Sequence, residues 1–179
     1  MRYVAFLRGM NLGGRRIKNE ELRREFEALS FTDVACFRAS GNVVFAAREA
    51  DEARLQSQIE AGLAESLGYE VLVFLRGAAE LQAIARHQPF DPRPVEASAG
   101  KLQVSLLRQK PKASVRREVL AMSTDADRLA IEGRELYWLP SGGMLDSALD
   151  LKAIESLIDP STRRTKGTID QIAAKHFGG

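Results

Sequence analysis

Residues 23–30 read RREFEALS and residues 116–123 read RREVLAMS. The second octapeptide follows the first at an offset of 93 (116 − 23), and at that offset Gly41 falls on Arg134, beside Gly133. One offset thus aligns a helix and a hairpin turn, which points to a duplicated unit, although short charged helices can imitate such a match. The strands that precede the helices obey a different offset. Leu7 and Arg8 correspond to Leu107 and Arg108 at 100, so the first copy holds about seven more residues (100 − 93) within GMNLGGRRIK at 9–18. A connection that outgrows its counterpart needs a reason, and binding residues are often carried on such loops.

Hydrophobic periodicity fills in the rest of each copy. Strands are expected at 3–8, 34–38, 42–47 and 70–75, and helices at 19–29 and 51–67, which makes βαββαβ, the ferredoxin-like order. A short helix at 78–85 leads to HQPFDPRP at 87–94, which holds three of the six prolines and reads as an extended linker. Beyond it come a strand at 102–108, a helix at 112–122, a hairpin of 129–131 with 135–139, and a helix at 149–158. The fold class is therefore α+β, two tandem ferredoxin-like halves plus a C-terminal helix. The expected divisions are 1–85 for the first half, 86–100 for the linker, 101–160 for a second βαββα half, and 161–179 for a basic turn and helix, all in one compact unit. Residues 3–7 and 71–75 are apolar on both alternating faces, so the face away from the helices needs a cover, from the second half or from a second copy in a homodimer.

Composition narrows the function classes. At 179 residues, 45% hydrophobic and 28% charged, the chain is ordinary for a globular protein. Twenty-six Lys and Arg against 24 Asp and Glu give a net charge of only +2, which argues against a nucleic-acid binder that uses its whole surface but leaves room for a local basic patch. The single Cys36 cannot form an internal disulfide, and its setting in a strand reads as a structural thiol. No apolar stretch approaches the roughly 18 residues of a membrane span, and the first residues lead directly into a strand. The expectation is a cytoplasmic protein, monomer or homodimer, with no membrane partner.

In a ferredoxin-like sheet the third strand lies antiparallel to the first, so Arg8 and Gly9 meet Ser40, Gly41 and Asn42. The long loop springs from that edge. Arg8, Asn11, Arg15, Arg16 and Lys18 can converge there with Arg38, Ser40 and Asn42, and the backbone N–H groups of Gly9, Gly13, Gly14 and Gly41 add donors suited to a small phosphate or carboxylate. Turn chemistry alone also accounts for these glycines and for SerGlyAsn. GMNLGG satisfies neither the dinucleotide fingerprint nor the P-loop. Asn19 reads as the N-cap of the first helix, and Glu20 and Glu21 occupy the first turn, where they repel an anion, so loop and side chains must hold any ligand. NVVFAA lacks the spaced aromatics of an RNA-recognition strand. His87 and His176 stand apart from any ligand cluster, so no metal and no cofactor are expected; Ser40 has no visible base, and Trp138 reads as core. In the C-terminal stretch, Thr168 and Gln171 read as a capping box, and a basic turn with Arg163, Arg164 and Lys166 either stays solvated or folds back to complete the anion site.

LRGMNLGG at 7–14 with Lys18, ASGNVVF at 39–45 and TRRTKGT at 162–168 together resemble the bacterial family catalogued as domain of unknown function 1697, whose members look like LRGINVGG, QSGNVVF and TxRNWNT. Ala39 stands where Gln is usual, and Thr165, Lys166 and Gly167 replace Asn, Trp and Asn. The resemblance implies a tandem ferredoxin-like fold and no established activity, with Arg8, Gly9, Asn11, Gly13, Gly14, Lys18, Ser40, Gly41, Asn42 and Arg164 at motif positions. The leading expectation is a binding protein for a small anionic or nucleotide-like ligand; weak nucleic-acid binding through Arg15, Arg16, Lys18 and 163–166, and a structural or interaction role without a ligand, are the alternatives. Whether it is an enzyme stays open, because no acid, base or nucleophile stands out from the structural residues.

Overall fold

The computed structural model describes residues 1–11, 13–38 and 41–178. The chain divides into two compact units, one of Met1–Ala83 together with the C-terminal stretch from Ile172 on, the other of Ile84–Gln171. The first runs β1 (Arg2–Arg8), α1 (Asn19–Ala28), β2 (Thr32–Cys36), β3 (Asn42–Ala46), α2 (Glu52–Leu67), β4 (Leu72–Gly77) and α3 (Ala78–Arg86), whose residues from Ile84 on count with the second unit. The second holds α4 (Pro92–Ala97), β5 (Gln103–Leu107), α5 (Ala113–Ala121), β6 (Asp127–Glu132), β7 (Glu135–Pro140), α6 (Leu151–Ile158) and β8 (Ser161–Thr165), followed by α7 (Lys166–Phe177). Each unit is built on one antiparallel four-stranded sheet, ordered β2-β3-β1-β4 and β6-β7-β5-β8, the strand order of the ferredoxin-like arrangement.

The register of the ladders displays the duplication. Phe6 pairs with Asn42 and Leu106 with Glu135, so the first strands correspond at 100 (106 − 6) and the hairpins at 93 (135 − 42). Val4 pairs with Arg76 and Val104 with Arg164, which adds a third offset of 88 (164 − 76) for the last strands. Helices α3 and α7, which begin at Ala78 and Lys166, share it (166 − 78). The repeated unit is therefore βαββαβα. It extends the expected second half by one strand and absorbs the C-terminal helix into the repeat.

Burial follows from the periods. Leu55, Ile59 and Leu63 recur every four residues on α2 and are all fully buried. Asp51 caps that helix by accepting from the Arg54 N–H at 3.1 Å, and Gly68, at φ 77°, ends it in the left-handed conformation. Tyr3, Ala5 and Leu7 of β1 face the helices, where Phe45 meets Tyr3, Phe26 and Phe31 at ring-centroid distances of 5.8, 5.4 and 4.7 Å. Val4, Phe6, Val44 and Phe74 on the alternate face are also fully buried, as the two-faced apolar pattern requires. In the second unit Leu107, Val119, Ile131, Trp138, Ile154 and Ile158 form the core. Trp138 donates from Nε1 to Asp127 at 2.9 Å, and the Ser147 hydroxyl donates to the same carboxylate oxygen at 2.8 Å, so the buried indole N–H and the buried acid satisfy each other.

Three local expectations are corrected. The linker at 86–100 is not extended throughout, because α4 forms within it with Pro92 at its first position, where the fixed φ favours a helix and the missing N–H costs nothing. The basic turn placed in 161–166 is strand β8, paired with β5 from Gln103↔Thr165 to Leu107↔Ser161; as an edge strand it tolerates a charged sequence that reads as loop. The cap residues also move. Helix α1 starts at Asn19 itself, whose amide donates instead to the Arg38 carbonyl at 3.0 Å, and α7 is capped by Thr165, which accepts from the Thr168 N–H at 3.2 Å.

The C-terminal end of α7 belongs to the first unit, where Gln82 donates to the Phe177 carbonyl at 2.5 Å and His176 meets the Phe37 ring at 6.4 Å. Burial, followed by the nearby Lys175 and Arg2 charges, holds the His176 imidazole below its usual range. A depressed folded value means that the neutral form is favoured by folding. Its contribution is complete above the unfolded value of about 6.5 and is lost as pH falls from there through the folded value. Urea unfolding of wild type and His176→Gln across pH 5–7.5 is expected to show a steeper loss of stability below about pH 6.5 in the wild type; parallel curves would contradict it.

Candidate functional site

The ladder fixes where the long loop starts. The Leu7 N–H donates to the Gly41 carbonyl at 2.8 Å, so the end of β1 is tied to the start of the β2–β3 hairpin's return strand. The far end of the loop is tied to the same hairpin, because Asn19 donates to the Arg38 carbonyl and the Cys36 thiol donates to the Asn19 carbonyl at 3.3 Å. The described residues of the connection between Arg8 and Asn19 therefore form an arch with both feet on one hairpin. Burial pushes the Cys36 thiol up, with Arg23 opposing in part, and Cys36 packs against the first core as a free thiol, as its setting in a strand suggests.

The inner part of the arch is packed. Met10 is buried, and its carbonyl accepts the Tyr69 hydroxyl at 2.9 Å. Arg15 lies over the Tyr69 ring with its guanidinium carbon 4.4 Å from the centroid. Gly41 is confined: a Cβ there would stand 3.1 Å from Leu7 Cβ and 3.3 Å from the Met10 sulfur. The outer part is open. Gly13 and Gly14, at φ 64° and 81°, have no atom of the described residues beyond their chain neighbours within 4 Å of where a Cβ would be. Arg8, Asn11, Arg15, Arg16 and Lys18 are all exposed, and the sequence from Arg8 to Asn19 contains no acidic residue. The arch thus carries three exposed cations and one carboxamide beside open glycine backbone, with Arg8 of β1 as a fourth cation at its foot, an excess of positive charge suited to anions.

The other expected residues divide. Asn42 is buried and donates from its amide to the Phe37 carbonyl at 3.0 Å, which ties it into the hairpin itself. Ser40 lies outside the described residues. Arg164 belongs to the second unit, on the face of β5 and β8 that also carries Val104. It donates to the Thr162 hydroxyl at 2.9 Å and the Arg163 carbonyl at 2.8 Å, and burial lowers its pKa to about 10. Arg163 pairs with Glu155 and covers Trp138, while Lys166 reaches Asp170 at 2.6 Å and the Ala85 carbonyl at 2.7 Å. These basic side chains are engaged within their own unit. Among the described residues no group of three or more His, Cys, Asp or Glu could hold a metal ion, and no helix is long and apolar enough to cross a membrane.

One residue escaped the sequence reading. Arg76 of β4 is fully buried, donates to the Leu75 carbonyl at 2.7 Å and faces Glu80 at 3.6 Å. It occupies in the first unit the position of Arg164 in the second. The signal was the 88-residue offset, which becomes visible only once 161–165 is read as a strand.

A solved structure of a conserved bacterial protein from Streptococcus pneumoniae is similar over 96% of this chain and 96% of its own, at 20% identity and a TM-score of 0.77, which supports the two-half fold. No curated protein matches the chain. The model of the family described as protein of unknown function (DUF1697) matches residues 1–137, a span that takes in the whole first βαββαβα copy and the second as far as β7. The chain belongs to that family, and its loop and hairpin motifs lie within the matched region.

Proposed function

We propose that this protein binds a small anionic or nucleotide-like ligand on the arch formed by residues 9–18. The observation that carries this reading is the arch itself: both feet are tied to one hairpin, and Arg8, Asn11, Arg16 and Lys18 are exposed with no acidic residue between Arg8 and Asn19, the Glu21 carboxylate beyond them accepting from the Lys18 backbone N–H at 2.8 Å. Arg8 and Lys18 supply charge, Asn11 supplies direction, and Gly13 and Gly14 let a ligand approach the backbone. Asn42 acts by holding the hairpin. A single half-buried thiol, together with the bacterial source of the similar solved structure, supports placing the protein in a bacterial cytoplasm.

Thermal unfolding in the presence of nucleotides, sugar phosphates and carboxylic acids tests the reading. At least one class should raise the midpoint in proportion to the logarithm of its concentration. Arg8→Ala should weaken that ligand by about tenfold or more, as expected for loss of a charge-assisted hydrogen bond worth about 1.5–3 kcal/mol. Stabilisation that is absent for every class, or unchanged in Arg8→Ala, would contradict it.

A further inference from the structure

The duplicated unit invites a comparison of the same place in each copy. In the first, the connection after β1 lies on the α2–β4 turn: Tyr69 of that turn bonds to Met10, Arg15 covers Tyr69, and a Cβ on Gly9 would stand 3.4 Å from the Glu70 carbonyl. The place is filled by the chain itself. In the second copy the connection after β5 is about seven residues shorter and cannot make that fold. What remains between it and the α6–β8 turn is a groove of about 540 Å³.

The groove has two kinds of wall. Val115, Leu157 and Ile158 supply apolar lining, Arg108, Lys110 and Lys112 supply cations, and among the described residues Asp159 is the one acid that lines it. Three cations against one carboxylate leave an excess of two positive charges. Helix α5 opens beside Lys112 with no acidic residue in its first turn, whereas α1 carries Glu20 and Glu21 there. The volume falls in the usual range for small-molecule sites, roughly 300–1,000 Å³, and an apolar lining with a few charges is their usual make-up.

We infer that this groove is a second ligand site, taking a phosphate monoester whose apolar or aromatic body lies on Val115, Leu157 and Ile158 while its dianionic phosphate meets Arg108, Lys110 and Lys112. The charge excess selects a dianion over a monocarboxylate, and the apolar lining selects an organic phosphate over inorganic phosphate. The site stands independently of the arch, since none of its residues belongs to residues 8–18.

Calorimetric titration of the full chain with phenyl phosphate tests it. Binding should survive Arg8→Ala and weaken about tenfold or more in the double variant Lys110→Glu, Lys112→Glu, whose two positions are exposed. Benzoate and inorganic phosphate should each bind at least about tenfold more weakly than phenyl phosphate. Equal affinity in the double variant, binding that disappears in Arg8→Ala alone, inorganic phosphate as tight as phenyl phosphate, or no binding at all overturns the inference. The unfolding midpoint of the double variant verifies its fold, and Lys110→Ala, Lys112→Ala provides the milder alternative, for which an unchanged affinity is equally contrary. Because Arg8→Ala separates the two sites, failure here and failure of the arch are distinguishable.

Discussion

Phe45→Ala is expected to lower the unfolding free energy by about 3–5 kcal/mol, a large share of the roughly 5–15 kcal/mol that holds a typical domain together. Phe45 is fully buried in the ladder opposite Tyr3, and its ring meets three others. Truncation removes the transfer energy of the ring and leaves a cavity lined by Tyr3, Phe26 and Phe31, which are fixed by β1, by α1 and by the turn that follows it and cannot all collapse inward. Phe45→Leu, which keeps most of the volume, should cost roughly half as much or less. Urea unfolding followed by far-ultraviolet circular dichroism measures both. A loss below about 1 kcal/mol for Phe45→Ala would mean that the aromatic cluster is not the centre of the first core.

Gly41→Ala comes next in size, at about 2–5 kcal/mol, from two separable causes. The backbone at φ 70° costs a side chain about 1–2 kcal/mol. The added methyl group must also press on Leu7 Cβ at 3.1 Å and the Met10 sulfur at 3.3 Å, an overpacking term of about 1–3 kcal/mol. Gly13→Ala isolates the first cause, because φ is 64° there and the space is open. It should cost only about 1–2 kcal/mol. Equal losses for the two variants would show that Gly41 is needed for its conformation alone. The difference matters for the arch, since Leu7 and Met10 are the residues on which it begins.

The duplication was legible because two of its three offsets are carried by side chains that resemble each other, RREFEALS with RREVLAMS and Leu7–Arg8 with Leu107–Arg108. The third was not. Strand β8 is written STRRT and its counterpart β4 is written LVFLRG, so a polar, charged edge strand and an apolar one share little except Arg164 and Arg76. The helix within the proline-rich linker was hidden by the same rule that proposed an extended linker, since proline ends helices and also begins them. For the site, the sequence located the extra loop and the edge from which it springs. It did not reveal that Arg15 and Met10 are bound to Tyr69, or that Asn42 is committed to its own hairpin, because both contacts need the α2–β4 turn and the hairpin in three dimensions. The second-copy groove was invisible for a related reason. It is a space left by residues that are missing relative to the first copy, and a sequence marks such a space only as a shorter loop.

Backbone amide spectra of the isotopically labelled full chain, titrated with the anion that stabilises it most, give the most direct test of anion binding by the arch. Saturable shifts concentrated in the amides of Gly9, Asn11, Gly13, Gly14 and Lys18, and lost in Arg8→Ala, are the predicted result. Shifts that are absent from these amides at saturation, or that persist in them unchanged when Arg8 is replaced, would contradict it.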